Sequence, residues 1–397
     1  MTDILFLAHR APFPPDRGDR IRSYHVLRHL AGKARIHLVA FADTAEECTP
    51  ALELRALTAS CTIVHRRKSR ARAAVQALAS GQPISITAFA DRHVRDAVAK
   101  VLAGQPVEAI YCFSGQMAQY LPEGGPRTIM DLVDVDSAKF AALAERGAAP
   151  FRWLMRREAR LLGAFERRVA ECADATLFVS EAEAALFRAH GGRGRIMAVE
   201  NGIDTAHFDP AKVLARPAAA PVLVFTGQMD YAPNIEAATW FAREVLPLVH
   251  RSHPDARFAI VGRAPTAAVR ALAGSHVEVS GEVPDTRPWL AGAALCVAPL
   301  SLARGIQNKV LEAMAMERPV VATSQAAEGI DHADTLRVAD GTDAFAAAVV
   351  AMLDDRQAAV SLGQRARARV MQRYAWDARL APLSALLGLA GDRQEAA

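Results

Sequence analysis

Arg304-Gly305-Ile306-Gln307-Asn308-Lys309-Val310-Leu311-Glu312-Ala313-Met314-Ala315-Met316-Glu317-Arg318-Pro319-Val320-Val321-Ala322 reads as a loop, then a helix, then a buried strand. The loop carries a glycine, so backbone amides can come close to a ligand. Lys309 is expected about one turn into the helix, where its ammonium adds to the positive end of the helix dipole. Glu312 follows three residues later and shares that helix face. A phosphate group could meet the loop amides and the lysine while Glu312 accepts hydrogen bonds from sugar hydroxyls. These groups suit a nucleotide-diphosphate sugar. The same spacing also fits a surface Lys–Glu pair on an ordinary amphipathic helix.

The alternation continues outward from this stretch. Ile4–His9, Ile36–Phe41, Thr62–His65, Ala109–Phe113, Thr128–Leu132 and Ala175–Val179 read as strands, with helical stretches between most of them. The pattern restarts with Val222–Thr226, Phe258–Val261, Val277–Val279, Leu295–Ala298, Val320–Ala322 and Leu336–Val338. The fold class is therefore α/β, with two Rossmann-like, doubly wound parallel sheets. The domains are placed at 1–204 and 205–375, with a last helix at 376–397. Ala215-Arg216-Pro217-Ala218-Ala219-Ala220-Pro221 reads as a linker near 215–221. Ligands in such sheets bind beyond the carboxyl ends of strands, so both halves are expected to face a cleft. No short repeat is visible, which excludes a solenoid.

The 397 residues suffice for two domains. Hydrophobic residues make up 51% and charged residues 23%, as in ordinary α/β enzymes. A net charge of only +4 gives no reason to invoke nucleic acid. No apolar run approaches the roughly 18 residues that span a bilayer. Met1-Thr2-Asp3 lacks the basic region of a signal peptide, so the following apolar run reads as a first buried strand. Cysteines 48, 61, 112, 172 and 296 are odd in number and widely spaced, which favours reduced thiols and a cytoplasmic setting.

Four stretches in the first half carry polar or charged chemistry. His9-Arg10-Ala11-Pro12-Phe13-Pro14-Pro15-Asp16-Arg17-Gly18-Asp19-Arg20 follows the first strand and leads into a helix near Ile21. Free amides at such a helix start favour an anion or a sugar ring, or Asp19 is simply the N-cap. Asp131-Leu132-Val133-Asp134-Val135-Asp136-Ser137 closes another strand. Three carboxylates there are costly to bury without partners. They could orient a sugar, hold Mg²⁺ or Mn²⁺ as an Asp-x-Asp pair, or cap the next helix through Asp136 or Ser137. Basic clusters lie at Arg66-Arg67-Lys68 with Arg70 and Arg72, and from Arg152 to Arg168 beside Trp153, Leu154 and Met155. Such helices can lie on an anionic membrane or present a solvated face.

In the second half, Phe225-Thr226-Gly227-Gln228-Met229-Asp230-Tyr231-Ala232-Pro233-Asn234 links a strand to a helix. Gly227 permits close approach, and Asn234 is expected to cap the helix. Val261-Gly262-Arg263 ends the next strand and offers a guanidinium for a phosphate, or a solvated side chain. Ser280-Gly281-Glu282-Val283 forms another strand-end loop.

Leu311-Glu312-Ala313-Met314-Ala315 and Pro319-Val320-Val321 resemble the donor-binding segment of the family 4 retaining glycosyltransferases. That family places a Glu where this chain has Arg304. Val199-Glu200-Asn201-Gly202-Ile203-Asp204 with Phe208 is similar to its V-x-N-G-[IV]-D-x-x-x-F crossover, and Tyr374-x-Trp376 to the tail that returns to the N-terminal domain. Gly18 and Arg22 match its first loop, although Asp19 replaces a second glycine. Asp134 matches the Asp of a His-Asp-like pair, with Val133 in the His place. Gly227 to Asn234 resembles its G-x-[ML]-x-x-x-P-N loop. The wording Gly-Ile-Gln-Asn-Lys-Val-Leu-Glu resembles a bacterial subgroup associated with exopolysaccharide loci and the exosortase (PEP-CTERM) system.

The resemblance implies the GT-B fold and a hexosyltransferase-type glycosyltransferase. It would move a sugar, with retention, from a nucleotide-diphosphate sugar to a glycan or polyprenyl-linked acceptor, in exopolysaccharide biosynthesis. Lys309, Arg263 and Asp134 would carry the chemistry. Gly18, Asp19, Gly227, Gln228, Gly281, Val283, Arg304, Gly305, Ile306, Gln307, Asn308 and Glu312 would hold the donor. No metal or other cofactor is implied, the nucleotide sugar being a substrate. The expected setting is cytoplasmic, with peripheral contact at the inner face of the membrane. A catalytically inactive nucleotide-sugar-binding subunit and a nucleotide-sugar 2-epimerase are the alternatives.

Overall fold

Strand β1 (Asp3–Ala8) is buried at every position and has a parallel neighbour on each side. Both faces of a parallel sheet are covered by helices, so such a strand reads as an unbroken apolar run. Around it the computed structural model, which describes residues 2–146, 149–303 and 306–389, builds a seven-stranded sheet. The further strands are β2 (Arg35–Ala42), β3 (Ser60–His65), β4 (Val107–Phe113), β5 (Arg127–Val133), β6 (Ala175–Phe178) and β7 (Ile196–Ala198). Their order is β3-β2-β1-β4-β5-β6-β7, all parallel. β7 is missing from the sequence reading because it is only three half-buried residues long.

A second sheet has the order β10-β9-β8-β11-β12-β13. Its strands are β8 (Val222–Thr226), β9 (Arg257–Val261), β10 (Val277–Gly281), β11 (Leu295–Ala298), β12 (Val320–Ala322) and β13 (Arg337–Val338). They too are parallel, and each sheet packs a buried apolar core of its own.

The chain passes from one compact unit to the other between Asn201 and Gly202, and returns between Ala378 and Arg379. In the first unit, Arg379 pairs with Glu200 at 2.8 Å, and Lys33 donates to Ser384 at 3.0 Å. In the second, the Ile203 amide donates to the Tyr374 carbonyl at 2.7 Å. A Cβ on Gly202 would lie 2.6 Å from the Trp376 Cα, so only glycine fits there.

The proline-rich stretch 215–221 lies inside the second unit. Arg216 sits 3.8 Å above the Trp289 ring and forks onto Glu278 at 2.9 and 3.0 Å. Stacking and a bidentate carboxylate hold this segment on its own domain.

Candidate functional site

Three strand-end loops of the second unit are sewn together by their backbones. The Gly227 amide after β8 donates to the Val261 carbonyl at 3.0 Å, and the Gly262 amide after β9 donates to Gly281 at 3.2 Å. Met229 donates to the Arg263 carbonyl at 2.9 Å. Gly227 and Gly262 have φ of +159° and +153°. A Cβ on Gly262 would stand 1.7 Å from the Gly227 oxygen, and one on Gly227 would stand 2.9 Å from Asn234 Nδ2. Gly281, at φ +70°, serves through its carbonyl.

The helix Asn308–Ala315 enters beside this floor from β11. β8 and β11 are neighbours at the point where the strand order reverses, where ligands of doubly wound sheets bind. Val310, Leu311, Ala313 and Met314 bury the helix against the core and leave Lys309 and Glu312 only partly covered. The helix starts at Asn308, so Lys309 stands in its first turn and not one turn inside.

The Lys309 ammonium donates to Asn234 Oδ1 and lies 4.6 Å from the centre of the Phe225 ring. Asn234 Nδ2 in turn donates to the Gln228 carbonyl at 2.8 Å, and Arg263 donates to Gln228 Oε1 at 2.9 Å. Asn234 is therefore no helix cap. The helix Ala232–Trp240 follows Tyr231, and Asn234, buried in its first turn, faces the lysine. Burial pulls Lys309 down to about 8, with the Glu312 charge acting the other way. Burial raises Glu312, and Lys309 restrains the rise.

Lys309, Arg263, Gly227, Gln228 and Glu312 surround one hollow of about 710 Å³, and Val283, Ile306, Gln307 and Asn308 complete the predicted part of its wall. That volume lies in the range of small-molecule sites. Phe208, Thr226, Tyr231, Asn234, Gly262, Glu282 and Thr286 also line it and were not foreseen as ligand contacts. The Pro233-Asn234 pair after a glycine loop was the available signal for Asn234. Arg304 and Gly305 lie outside the described residues. A second hollow, of about 530 Å³, lies at the opposite ends of β8 and β11. There Arg318 already spends its guanidinium on the carbonyls of Met316, Ala291 and Ala293, so the β8–β11 switch point is the better candidate.

Gly18, Asp19 and Asp134 belong to the first unit. Gly18 opens the helix Gly18–Ala31, and a Cβ there would meet nothing within 4 Å. Asp19 is the second residue of that helix, so it is not the N-cap. It accepts from Arg10 and lies 3.2 Å from His9 Nε2. Against the effect of burial, His9 and Arg10 hold its carboxyl well below the usual range. Asp134 and Asp136 share the Lys139 ammonium at 2.8 and 3.0 Å.

The fully buried carboxylate of the 131–137 run is Asp131. Arg22 donates to it at 2.9 Å and reaches Asn201 at 3.0 Å, and the Tyr111 hydroxyl also donates to Asp131. Ser137 is held by Glu166, through its amide at 3.1 Å and through its hydroxyl. Val133 has φ +69°, an unusual conformation for a β-branched residue, and its amide donates to Asp131 at 3.1 Å.

Residues 220–355 match the model of the family described as Glycosyl transferases group 1. No curated protein matches the chain. Among solved structures, sucrose-phosphate synthase from Thermosynechococcus elongatus is 17% identical, with a TM-score of 0.61, over 97% of this chain and 98% of that one. Anabaena HepE in complex with UDP-glucose is 15% identical, with a TM-score of 0.58, over 98% of this chain and all of the other. WaaG, a glycosyltransferase involved in lipopolysaccharide biosynthesis, is also 15% identical, with a TM-score of 0.57 and the same coverage. The two parallel-sheet domains therefore form a GT-B fold, and the family match over residues 220–355, which supply all of the hollow's lining but Phe208, supports a glycosyltransferase.

Proposed function

We propose that the chain is a retaining glycosyltransferase of the family 4 type, using a nucleotide-diphosphate sugar without a metal ion. One observation carries the reading. Lys309, Arg263 and Glu312 converge on a single hollow at the switch point of the second sheet. In this reading Lys309 and Arg263 stabilise the charge that develops on the leaving diphosphate, the largest electrostatic need of the reaction. Glu312 accepts hydrogen bonds from the donor ribose, and the loops at Gly227 and Val283 pass their backbones along the nucleotide. Gly18, Asp19 and Asp134 are assigned to the sugar side.

The acceptor is a glycan or polyprenyl-linked sugar, and the setting is exopolysaccharide assembly at the inner face of the cytoplasmic membrane, as the 305–312 wording suggests. Among the described residues no helix is long and apolar enough to cross a membrane. HepE is described with UDP and glucose, which makes UDP-hexoses the first donors to test.

The test is a thermal-shift screen of nucleotide sugars, followed by turnover with those that bind. A bound donor raises the melting temperature by mass action. No shift with any donor would remove the assignment. Arg304 in the place of a family Glu supports a second reading, a binding subunit without turnover. A donor that binds but is neither transferred nor hydrolysed selects that alternative.

A further inference from the structure

The helix Arg70–Ser80 is apolar on two sides. Ala73 and Ala77 are fully buried, while Ala71, Val75, Leu78 and Ala79 form an exposed stripe at helical spacing. Val75 and Leu78 are 69% and 53% exposed. One apolar side is enough to fix a helix on its domain, so the outer stripe needs another partner.

The start of the helix Phe151–Cys172 lies next to it. Arg157 donates to the Ala77 carbonyl at 2.7 Å and to the Gln82 carbonyl at 3.2 Å. One turn before Arg157 stands Trp153, 61% exposed, with Phe151 at the helix start. Arg72, Arg156 and Arg160 are exposed on the same two helices, and Arg67 is exposed in the loop ahead of the first. Residues 66–80 contain no acid. Between 151 and 160 the single acid is Glu158, which is buried and accepts the Ile84 and Ser85 amides at 2.8 Å. The surface is thus left with aromatic and aliphatic groups among arginines. Tryptophan and arginine beside aliphatic side chains suit the headgroup region of an anionic bilayer.

We propose that this face docks the protein on an anionic lipid bilayer, with Trp153, Val75 and Leu78 at the headgroup–acyl boundary and the arginines on the lipid charges. The inference rests on the lipid-linked-acceptor reading only in naming where that acceptor would be met.

The test uses the full-length protein with vesicles of phosphatidylcholine, with or without phosphatidylglycerol and with no acceptor present. Sedimentation with the anionic vesicles at low salt, and its loss at high salt, is expected. Reversal of two charges, R72E with R156E, should weaken binding on the order of thirtyfold or more. V75D with L78D should also release the protein. Brominated lipids should quench wild-type fluorescence more than that of W153F.

Equal binding to neutral vesicles, undiminished binding of both double variants, or equal quenching of W153F would overturn the proposal. So would a dimer that V75D with L78D dissociates while vesicle binding stays unchanged, since a second copy would then occupy the face. Nucleotide-sugar thermal shifts on the same samples report the donor site separately, so either assignment can fail alone.

Discussion

Asn234 accepts a hydrogen bond from the Lys309 ammonium while its own amide nitrogen donates to the Gln228 carbonyl. A flipped amide would place nitrogen against ammonium and oxygen against carbonyl, so both bonds fix one orientation. The lysine is in this way aimed into the hollow by a neutral partner that leaves its charge available to a diphosphate.

Substitution of the two residues should therefore not be additive. Lys309→Ala should lower transfer on the order of a hundredfold, the cost of one charged contact in a closed site. Asn234→Ala should cost about tenfold or more, as expected for a lost hydrogen bond to a charged group. The double variant should be little worse than Lys309→Ala alone. Steady-state kinetics on the four proteins measures this, and fully additive losses would disconnect Asn234 from the lysine.

The depressed proton affinity of Lys309 gives a pH dependence with a definite sign. Its folded value is about 8, against 10.5 for an ordinary lysine. Between those values the unfolded chain binds more protons than the folded one, so this group makes stability rise as pH rises from about 8. Ligand binding runs the other way. A diphosphate favours the ammonium form, so nucleotide affinity should fall above pH 8, and binding near that pH should take up protons. Calorimetry in two buffers of different ionisation enthalpy reads the uptake directly. Lys309→Arg should abolish it, since a guanidinium stays charged throughout. Buffer-independent heats for the wild-type protein would contradict the assignment.

The strands and the helix that carries Lys309 were legible because their burial follows local period. Val310, Leu311, Ala313 and Met314 fall on one face, and Val320, Val321 and Ala322 form an unbroken buried run. The partners inside the site were not legible in that way. Asn234 and Lys309 are 75 residues apart, and Arg22 and Asp131 are 109 apart. No spacing rule joins such pairs. The carboxylates at 131–137 showed that a buried charge would need a partner but not which of them it was. Asp131 lies within β5 and turns to Arg22, while Asp134 lies beyond the strand end and reaches Lys139. Gly262 is fixed by its approach to Gly227, a contact between loops that composition does not reveal.

That approach makes a stability prediction. Gly262→Ala would force a Cβ to 1.7 Å from the Gly227 oxygen, at a positive φ that alanine disfavours. A loss on the order of 3 kcal/mol is expected, read as a fall in the urea midpoint and in nucleotide binding together. Gly18→Ala is the contrast. Its Cβ would meet nothing within 4 Å, so the urea midpoint should stay where it is. Lowered transfer at unchanged stability in that variant would mark Gly18 as a place of close ligand approach. A full wild-type rate would take it out of the donor site.

Metal dependence separates the two uses of the 134–136 pair. A divalent cation on a diphosphate needs several oxygen ligands at once. Asp134 and Asp136 instead share the Lys139 ammonium. The charge of the diphosphate is better matched by the cations Lys309 and Arg263, both on the wall of the hollow. Transfer should therefore survive EDTA, and Asp134→Ala should slow it less than Lys309→Ala does. Lys139→Ala should leave EDTA resistance unchanged, because no metal is expected to replace the lost ammonium. Complete loss in EDTA, restored by Mn²⁺ and absent from an Asp134→Ala, Asp136→Ala variant, would instead place a metal on this pair and move the chemistry to the carboxylates.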